Sequence, residues 1–193
     1  LVIKTRATVV TRDRSEAQAI KADHEEELKQ LRSGTLQDRY IEYLLPTEYT
    51  QHTQEVEGYA AGYPFGTEGL LAWVRRLNTG IHADLTYDPE ATHVHTTVSD
   101  TLQLRRGVCQ DYAHLMIAVC RSLGMPARYV SGYHFVGDLT GGSADFEQAS
   151  HAWVEVFVPD SGWLGFDPTN NAEVGWRYVK LGHGRDYKDI VPV

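Results

Sequence analysis

The sequence predicts an α+β fold, with helices first and antiparallel strands after. Three observations carry this. Apolar residues recur at helical spacing in two stretches, first Leu70, Leu71, Val74, Leu77 and Ile81, then Tyr112, Leu115, Met116, Val119, Cys120 and Leu123. Arg128 to Phe135, His151 to Val158 and Trp163 to Asp167 read as strands. The helices come first and the strands after, the order of α+β folds and not of alternating β/α units.

Taken in chain order, Leu1 to Val10 reads as a strand. Asp13 to Arg32 is charged and weakly periodic, which suits a solvated helix or a loose connection. Tyr40 to Leu45 is a short strand ended by Pro46. Thr67 is placed to cap the helix that carries Leu70 to Ile81, and Asp84 to Pro89 breaks that helix. Cys109 to Leu123 is the strongest helix. Gly124 stands at its C′ position and Pro126 shuts it off. Gly137 to Ser150 is a Gly/Ser/Asp-rich loop, and Gly141-Gly142-Ser143 suits a lid or specificity element. Pro159-Asp160-Ser161-Gly162 is turn chemistry that joins two strands into a hairpin. The chain opens on Leu1 and closes on Val193 with no polar tail, and it reads as a piece of a longer protein.

With 42% hydrophobic and 23% charged residues, the 193-residue chain fits one globular domain with room for a small appendage. Its net charge of -8 argues against sequence-independent nucleic-acid binding and against docking on anionic membranes. No apolar run approaches the ~18 residues that span a bilayer, and no secretory signal pattern is visible. Cys109 and Cys120 are the two cysteines. On one helix they lie roughly 16 Å apart at ~1.5 Å per residue, too far for the ~4.4–6.8 Å between disulfide Cα atoms. Two free thiols suit a reducing compartment, so the expected location is cytoplasmic.

The chemistry concentrates around Cys109. Gly107-Val108-Cys109 puts a thiol in the first turn of the strong helix. There the helix dipole favours thiolate, and unpaired N–H groups can bind an oxyanion. Cys120 lies three turns on along the apolar face and reads as structural. His151 opens a strand after the flexible loop. Asp167 lies on the hairpin partner at a similar distance from the turn. The register stays open between a four- and a five-residue loop, and with it the face that Asp167 takes. A cysteine, a histidine and an aspartate in this order supply a nucleophile, its proton carrier and an orienting acid. His93-Val94-His95 is a two-ligand pair, and His114 and His134 offer further donors. No CxxC, HExxH or EF-hand pattern accompanies them, so neither metal nor cofactor is expected.

The motifs resemble those of the transglutaminase-like superfamily, in particular its bacterial cysteine-peptidase branch. They run from Tyr87-Asp88-Pro89 and Thr92-His93-Val94 through Arg106-Gly107-Val108-Cys109-Gln110-Asp111-Tyr112-Ala113-His114 and Leu123 to Tyr133. They continue with His151-Ala152-Trp153-Val154-Glu155, Gly162-Trp163, Phe166-Asp167-Pro168-Thr169-Asn170 and Gly184 to Asp189. The resemblance implies a papain-like core, its cysteine-bearing helix packed on an antiparallel β-sheet, with Cys109 as nucleophile, His151 as general base and acid, and Asp167 as orienting acid. By their place in the motifs, Gln110 and Tyr87 are candidates for a second oxyanion donor beside the Cys109 N–H. Trp153, also a candidate at the substrate or oxyanion site, is expected either to shield the pair from water or to be a plain core tryptophan. Residues 1–45 then form an N-terminal strand and connection, the end of a preceding β domain, and residues 46–193 the catalytic core, truncated at its C-terminus. The implied activity is attack on a peptide or glutamine carboxamide through a thioester. Hydrolysis is preferred to amine transfer, and a non-catalytic interaction module on the same fold is the rival. The expected partner is a protein or peptide substrate, with no nucleic acid and no membrane contact; no oligomeric state is implied.

Overall fold

The computed structural model describes residues 8–11, 23–135 and 150–191. Helices α1 (His24–Leu31), α2 (Gly34–Arg39), α3 (Gln54–Ala60) and α4 (Leu70–Asp84) come first. Strand β1 (Thr86–Tyr87), helix α5 (Val98–Leu104), strand β2 (Arg106–Gly107) and helix α6 (Cys109–Ser122) follow. Then come β3 (Ala127–His134), β4 (Ser150–Val158), β5 (Gly162–Asp167), β6 (Ala172–Glu173) and β7 (Tyr178–Gly184). These last five form one antiparallel sheet in the order β6-β5-β4-β3-β7, while β1 and β2 pair in parallel. The fold is α+β, as read from the sequence.

Helix α6 is the axis. Every residue from Gln110 to Arg121 is buried, a wider apolar surface than the single face expected. The reason is its position: β3 and β4 pack on one side, and α3, α4 and α5 on the others, so no face is left for water. Its end follows the expected signal. Gly124 takes a φ of +78°, and the Met125 N–H returns to the Cys120 carbonyl at 2.9 Å. Leu31 of α1 lies in the same core as Leu115 and Val154, so the division expected at residue 45 is not a division of the core.

Several expectations are corrected. Tyr40 to Leu45 is not a strand. Ile41–Tyr43 is a 3₁₀ turn, and the tyrosines at 40 and 43 serve packing instead: Tyr40 meets Phe157 at 4.5 Å and Tyr43 meets Trp163 at 5.3 Å. Thr67 does not cap α4. The N-cap is Gly69, and the Leu70 N–H is satisfied by Glu27 Oε2 at 2.9 Å. Glu27 is therefore buried, and α1 is not simply a solvated helix. Helix α5 went unread despite its Thr97/Asp100 capping box, because seven residues give too little periodicity. Residues 8–11 carry no regular structure, and the rest of the expected N-terminal strand lies outside the described residues. So do the first part of the charged stretch and almost all of the loop Gly137 to Ser150.

The hairpin register is now fixed. Val158 pairs with Gly162 and Val154 with Phe166, across a turn with positive φ at Asp160 (62°) and Gly162 (78°). One step further, Asp167 stands opposite Trp153, diagonal to His151 and on the same face.

Two of the buried polar side chains on α6, Arg121 and His114, tie the fold together away from the helix start. Arg121 is 3% exposed and donates to the carbonyls of Tyr43 (3.1 Å), Leu45 (3.1 Å), Ala127 (2.9 Å) and Arg185 (2.6 Å) and to Thr50 Oγ1 (2.9 Å). It ties the segment before α3 and the segment after β7 to the central helix. Burial pushes its pKa down to about 10, so it is still charged at neutral pH. His114 stacks on Tyr49 at 5.0 Å and accepts from the Tyr187 N–H through Nε2. Burial pushes its pKa down to about 3, which keeps it neutral.

Candidate active site

The start of α6 is built by its own sequence. Asp111 folds back so that Oδ2 accepts from the Val108 N–H at 2.8 Å. The same oxygen accepts from the Thr92 hydroxyl at 2.7 Å, which ties in the loop between β1 and α5. A Cβ on Gly107 would sit 2.5 Å from Asp111 Oδ2, so only glycine fits there. The result is a half-buried Cys109 at the first helical position, with the Cys109 and Gln110 N–H groups lacking intrahelical acceptors.

His151 sits at the start of β4. Its Nε2 lies 2.7 Å from Asp167 Oδ2, and the Cys109 thiol stands within electrostatic reach of the imidazole. With Nε2 engaged, Nδ1 is the nitrogen left for the thiol. Burial disfavours the imidazolium. The Asp167 hydrogen bond, with the influence of Asp167 and Cys109 beside the ring, outweighs it and raises the pKa to about 9.

Asp167 is fully buried and collared by donors. Oδ1 accepts from the N–H groups of Thr169 (2.9 Å) and Asn170 (3.2 Å). Oδ2 accepts from His151, from Asn170 Nδ2 (2.7 Å) and from the Tyr178 hydroxyl (2.9 Å). Burial alone would raise this carboxyl's pKa, but His151, Asn170 and Tyr178 hold it below the usual carboxylate range. Behind the pair, His134 stacks on Tyr178 at 4.4 Å and 13°, and its ring lies 5.4 Å from His151.

The three residues expected to act together are thus brought together, and the other candidates separate. Tyr87 is 55% exposed, and its phenol lies within the electrostatic reach of Cys109. The Gln110 amide is committed to the Val94 carbonyl at 3.2 Å, so it tethers the loop between β1 and α5 and does not face a substrate. Trp153 is 1% exposed and packs against Tyr178 at 5.4 Å. It is a core residue behind the imidazole, not a substrate contact. His93 and His95 lie together at 6.1 Å, and His114 is buried elsewhere on α6. Among the described residues the group with metal-ligand geometry is His134, His151 and Asp167. Sequence reasoning missed the roles of Tyr178, Asn170, Thr92 and His134. Asn170 stood in the quoted Asp-Pro-Thr-Asn run, whereas Tyr178 carried no signal. A broad groove of about 1080 Å³ between α3, α4 and α5, flanked by Tyr59, Tyr63 and Arg105, includes none of these residues.

The family model of the transglutaminase-like superfamily matches residues 59–168, more than half of the chain and inclusive of Cys109, His151 and Asp167. The chain belongs to this superfamily. Its members are in general cysteine-dependent peptidases or acyltransferases. An uncharacterized Mycobacterium leprae protein is 39% identical over 165 residues, which cover 85% of this chain and 58% of that protein. The crystal structure of a candidate cysteine protease from Cytophaga hutchinsonii matches with a TM-score of 0.69 and 30% identity, over 88% of this chain and 55% of that one. A protein-glutamine gamma-glutamyltransferase from Pseudomonas aeruginosa is 40% identical over 103 residues, 52% of this chain and 15% of that protein. The chain thus spans little more than half the length of the first two. No helix among the described residues is long and apolar enough to cross a membrane.

Proposed function

We propose that this chain is a thiol-dependent amide hydrolase or acyl transferase working on peptide or glutamine carboxamide bonds, and that it acts as a cysteine peptidase. The observation that carries the reading is the His151 imidazole, held by the Asp167 carboxylate on one nitrogen and within electrostatic reach of a thiol at a helix start. The Cys109 sulfur attacks the carbonyl carbon, the C–N bond breaks, and the His151 imidazolium gives its proton to the leaving amine. Neutral His151 then takes a proton from water as it attacks the thioester, which releases the acid and restores the pair. The Cys109 N–H is one oxyanion donor, and the exposed Tyr87 hydroxyl is the candidate for the second. The substrate is a protein or peptide.

The test is Cys109→Ala against a glutamine-containing peptide, with and without a primary amine. Loss of at least about 10³-fold in amide turnover is expected, with ammonia or a new carboxylate as the main product. Unchanged turnover in Cys109→Ala sinks the reading, and an original sequence with an unreactive Cys109 and no turnover favours an interaction module. Amine incorporation as the main product favours the second reading, a transglutaminase, which rests on the similarity to the Pseudomonas aeruginosa glutamyltransferase.

The proton inventory gives a pH dependence. His151 has a pKa raised to about 9, so the acid that serves the leaving group is present below that pH and lost above it. Single-turnover acylation between pH 6 and 10.5 is expected to fall as pH rises through about 9. A fall centred near the ordinary histidine value of about 6.5 contradicts the proposed assembly.

A further inference from the structure

We propose that Asn170 masks a cation site: its side-chain nitrogen stands where His134, His151 and Asp167 converge, and when it swings out these three bind a zinc-class divalent ion that takes the imidazole out of catalysis. The ligand atoms of the three residues lie within 4.8 Å of one another. Asn170 Nδ2 is 2.7 Å from Asp167 Oδ2, 3.4 Å from His151 Nε2 and 3.4 Å from His134 Nδ1. One donor group thus touches all three atoms at once and marks their common focus.

The donor set is two imidazoles and one carboxylate, which suits Zn²⁺ with a water in the fourth place. His134 is held for the task by its stack on Tyr178, and its lone pair is available because burial, then the His151 charge, keep the ring neutral at neutral pH. Asp167 is already ionised. Asn170 is exposed, so its side chain can leave without opening the core; its backbone N–H stays on Asp167 Oδ1. Binding forms bonds from the metal to His134, His151 and Asp167. It breaks the His151–Asp167 hydrogen bond, and the Nε2 proton goes to solvent. No redox partner is involved. The ion competes with the orienting bond on which the mechanism depends, and Asn170 is the guard that keeps the ion off.

The binding claim stands without the catalytic reading; the inhibition it predicts rests on that reading. The experiment is calorimetric titration of the chain with Zn²⁺ alone, in the original sequence, Asn170→Ala, Asn170→Ala/His134→Phe and Asn170→Ala/Cys109→Ala. Circular dichroism and thermal unfolding check each variant. Phenylalanine at 134 keeps the stack on Tyr178 and removes the ligand atom. One Zn²⁺ per chain is expected, at least tenfold tighter in Asn170→Ala than in the original sequence. This affinity is kept on adding Cys109→Ala and lost on adding His134→Phe. Zinc affinity unchanged by Asn170→Ala, binding that survives His134→Phe, or binding lost with Cys109→Ala overturns the proposal; the last assigns the ion to the thiol–imidazole pair instead. The calorimetric result does not depend on Cys109, so a failure of the catalytic reading leaves it standing. Zinc inhibition of amide turnover in the original sequence, strengthened by Asn170→Ala, reads the functional consequence.

Discussion

Asp167→Asn is expected to lower turnover by about 10³-fold or more while the rest of the site stays in place. The expectation comes from the count of donors. Five groups donate to this carboxylate: the N–H groups of Thr169 and Asn170 on Oδ1, and His151, the Asn170 amide and the Tyr178 hydroxyl on Oδ2. A carboxylate has only acceptor sites, about four lone-pair positions that these donors share. An amide replaces one oxygen by an NH₂ group, and in either flip that group faces at least two donors. The usual neutrality of an Asp-to-Asn exchange therefore fails here. The imidazole loses the partner that fixes Nε2 as its protonated nitrogen, so Nδ1 no longer meets the thiol in the right state. Tyr178→Phe removes one donor of the five and is expected to cost about tenfold, the scale of one hydrogen bond to a charged group. Steady-state rates for both variants, with circular dichroism as the fold control, check this. Full turnover in Asp167→Asn would mean that the carboxylate does not orient His151.

Arg121→Ala is expected to destabilise the chain by about 4 kcal/mol or more, above the ordinary range for point substitutions. Its guanidinium serves four carbonyls and one hydroxyl from three separate segments. Without it those acceptors stay in a dry interior, each costing about 1–3 kcal/mol where water cannot replace the donor. Arg121→Lys keeps the charge but offers a point where the site needs a fork, so an intermediate loss is expected. Urea unfolding at neutral pH reads both variants. A midpoint for Arg121→Ala within error of the original shows that the segments are held by other contacts.

Much of this was legible because α6 is self-contained. Its start and stop signals, Gly107, Gly124 and Pro126, lie within twenty residues, and the motifs around Cys109, His151 and Asp167 are short enough to recognise. The pairing of His151 with Asp167 was readable as a hairpin but not as a register, since that depended on Asp160 adopting a left-handed φ for which its residue type gives only a weak preference. The Asp167 collar was not readable at all through Tyr178. Strand β7 runs unbroken from Tyr178 to Gly184, with Leu181 as the extra residue at its irregularity. It joins β3 through a register shift at Ser131 and Gly132, where any Cβ would clash with the Trp153 ring and the Val179 carbonyl. Such a close approach is a long-range fact that no local pattern encodes. The Tyr40 to Leu45 misreading has the same origin: a short aromatic and aliphatic run before a proline matches a strand, and only the position of Phe157 and Trp163 reveals that Tyr40 and Tyr43 pack from a turn.

The place of β7 sets an order of events in biosynthesis. A chain leaving the ribosome presents Cys109, His151 and Asp167 before it presents Tyr178 or Arg185. Until Tyr178–Gly184 zips onto β3, the Asp167 carboxylate lacks one of its donors and Arg121 lacks one of its acceptors. Docking of that strand completes both at once. The nascent thiol therefore passes through the crowded space around the ribosome without its full orienting shell, and competence arrives with one late pairing step.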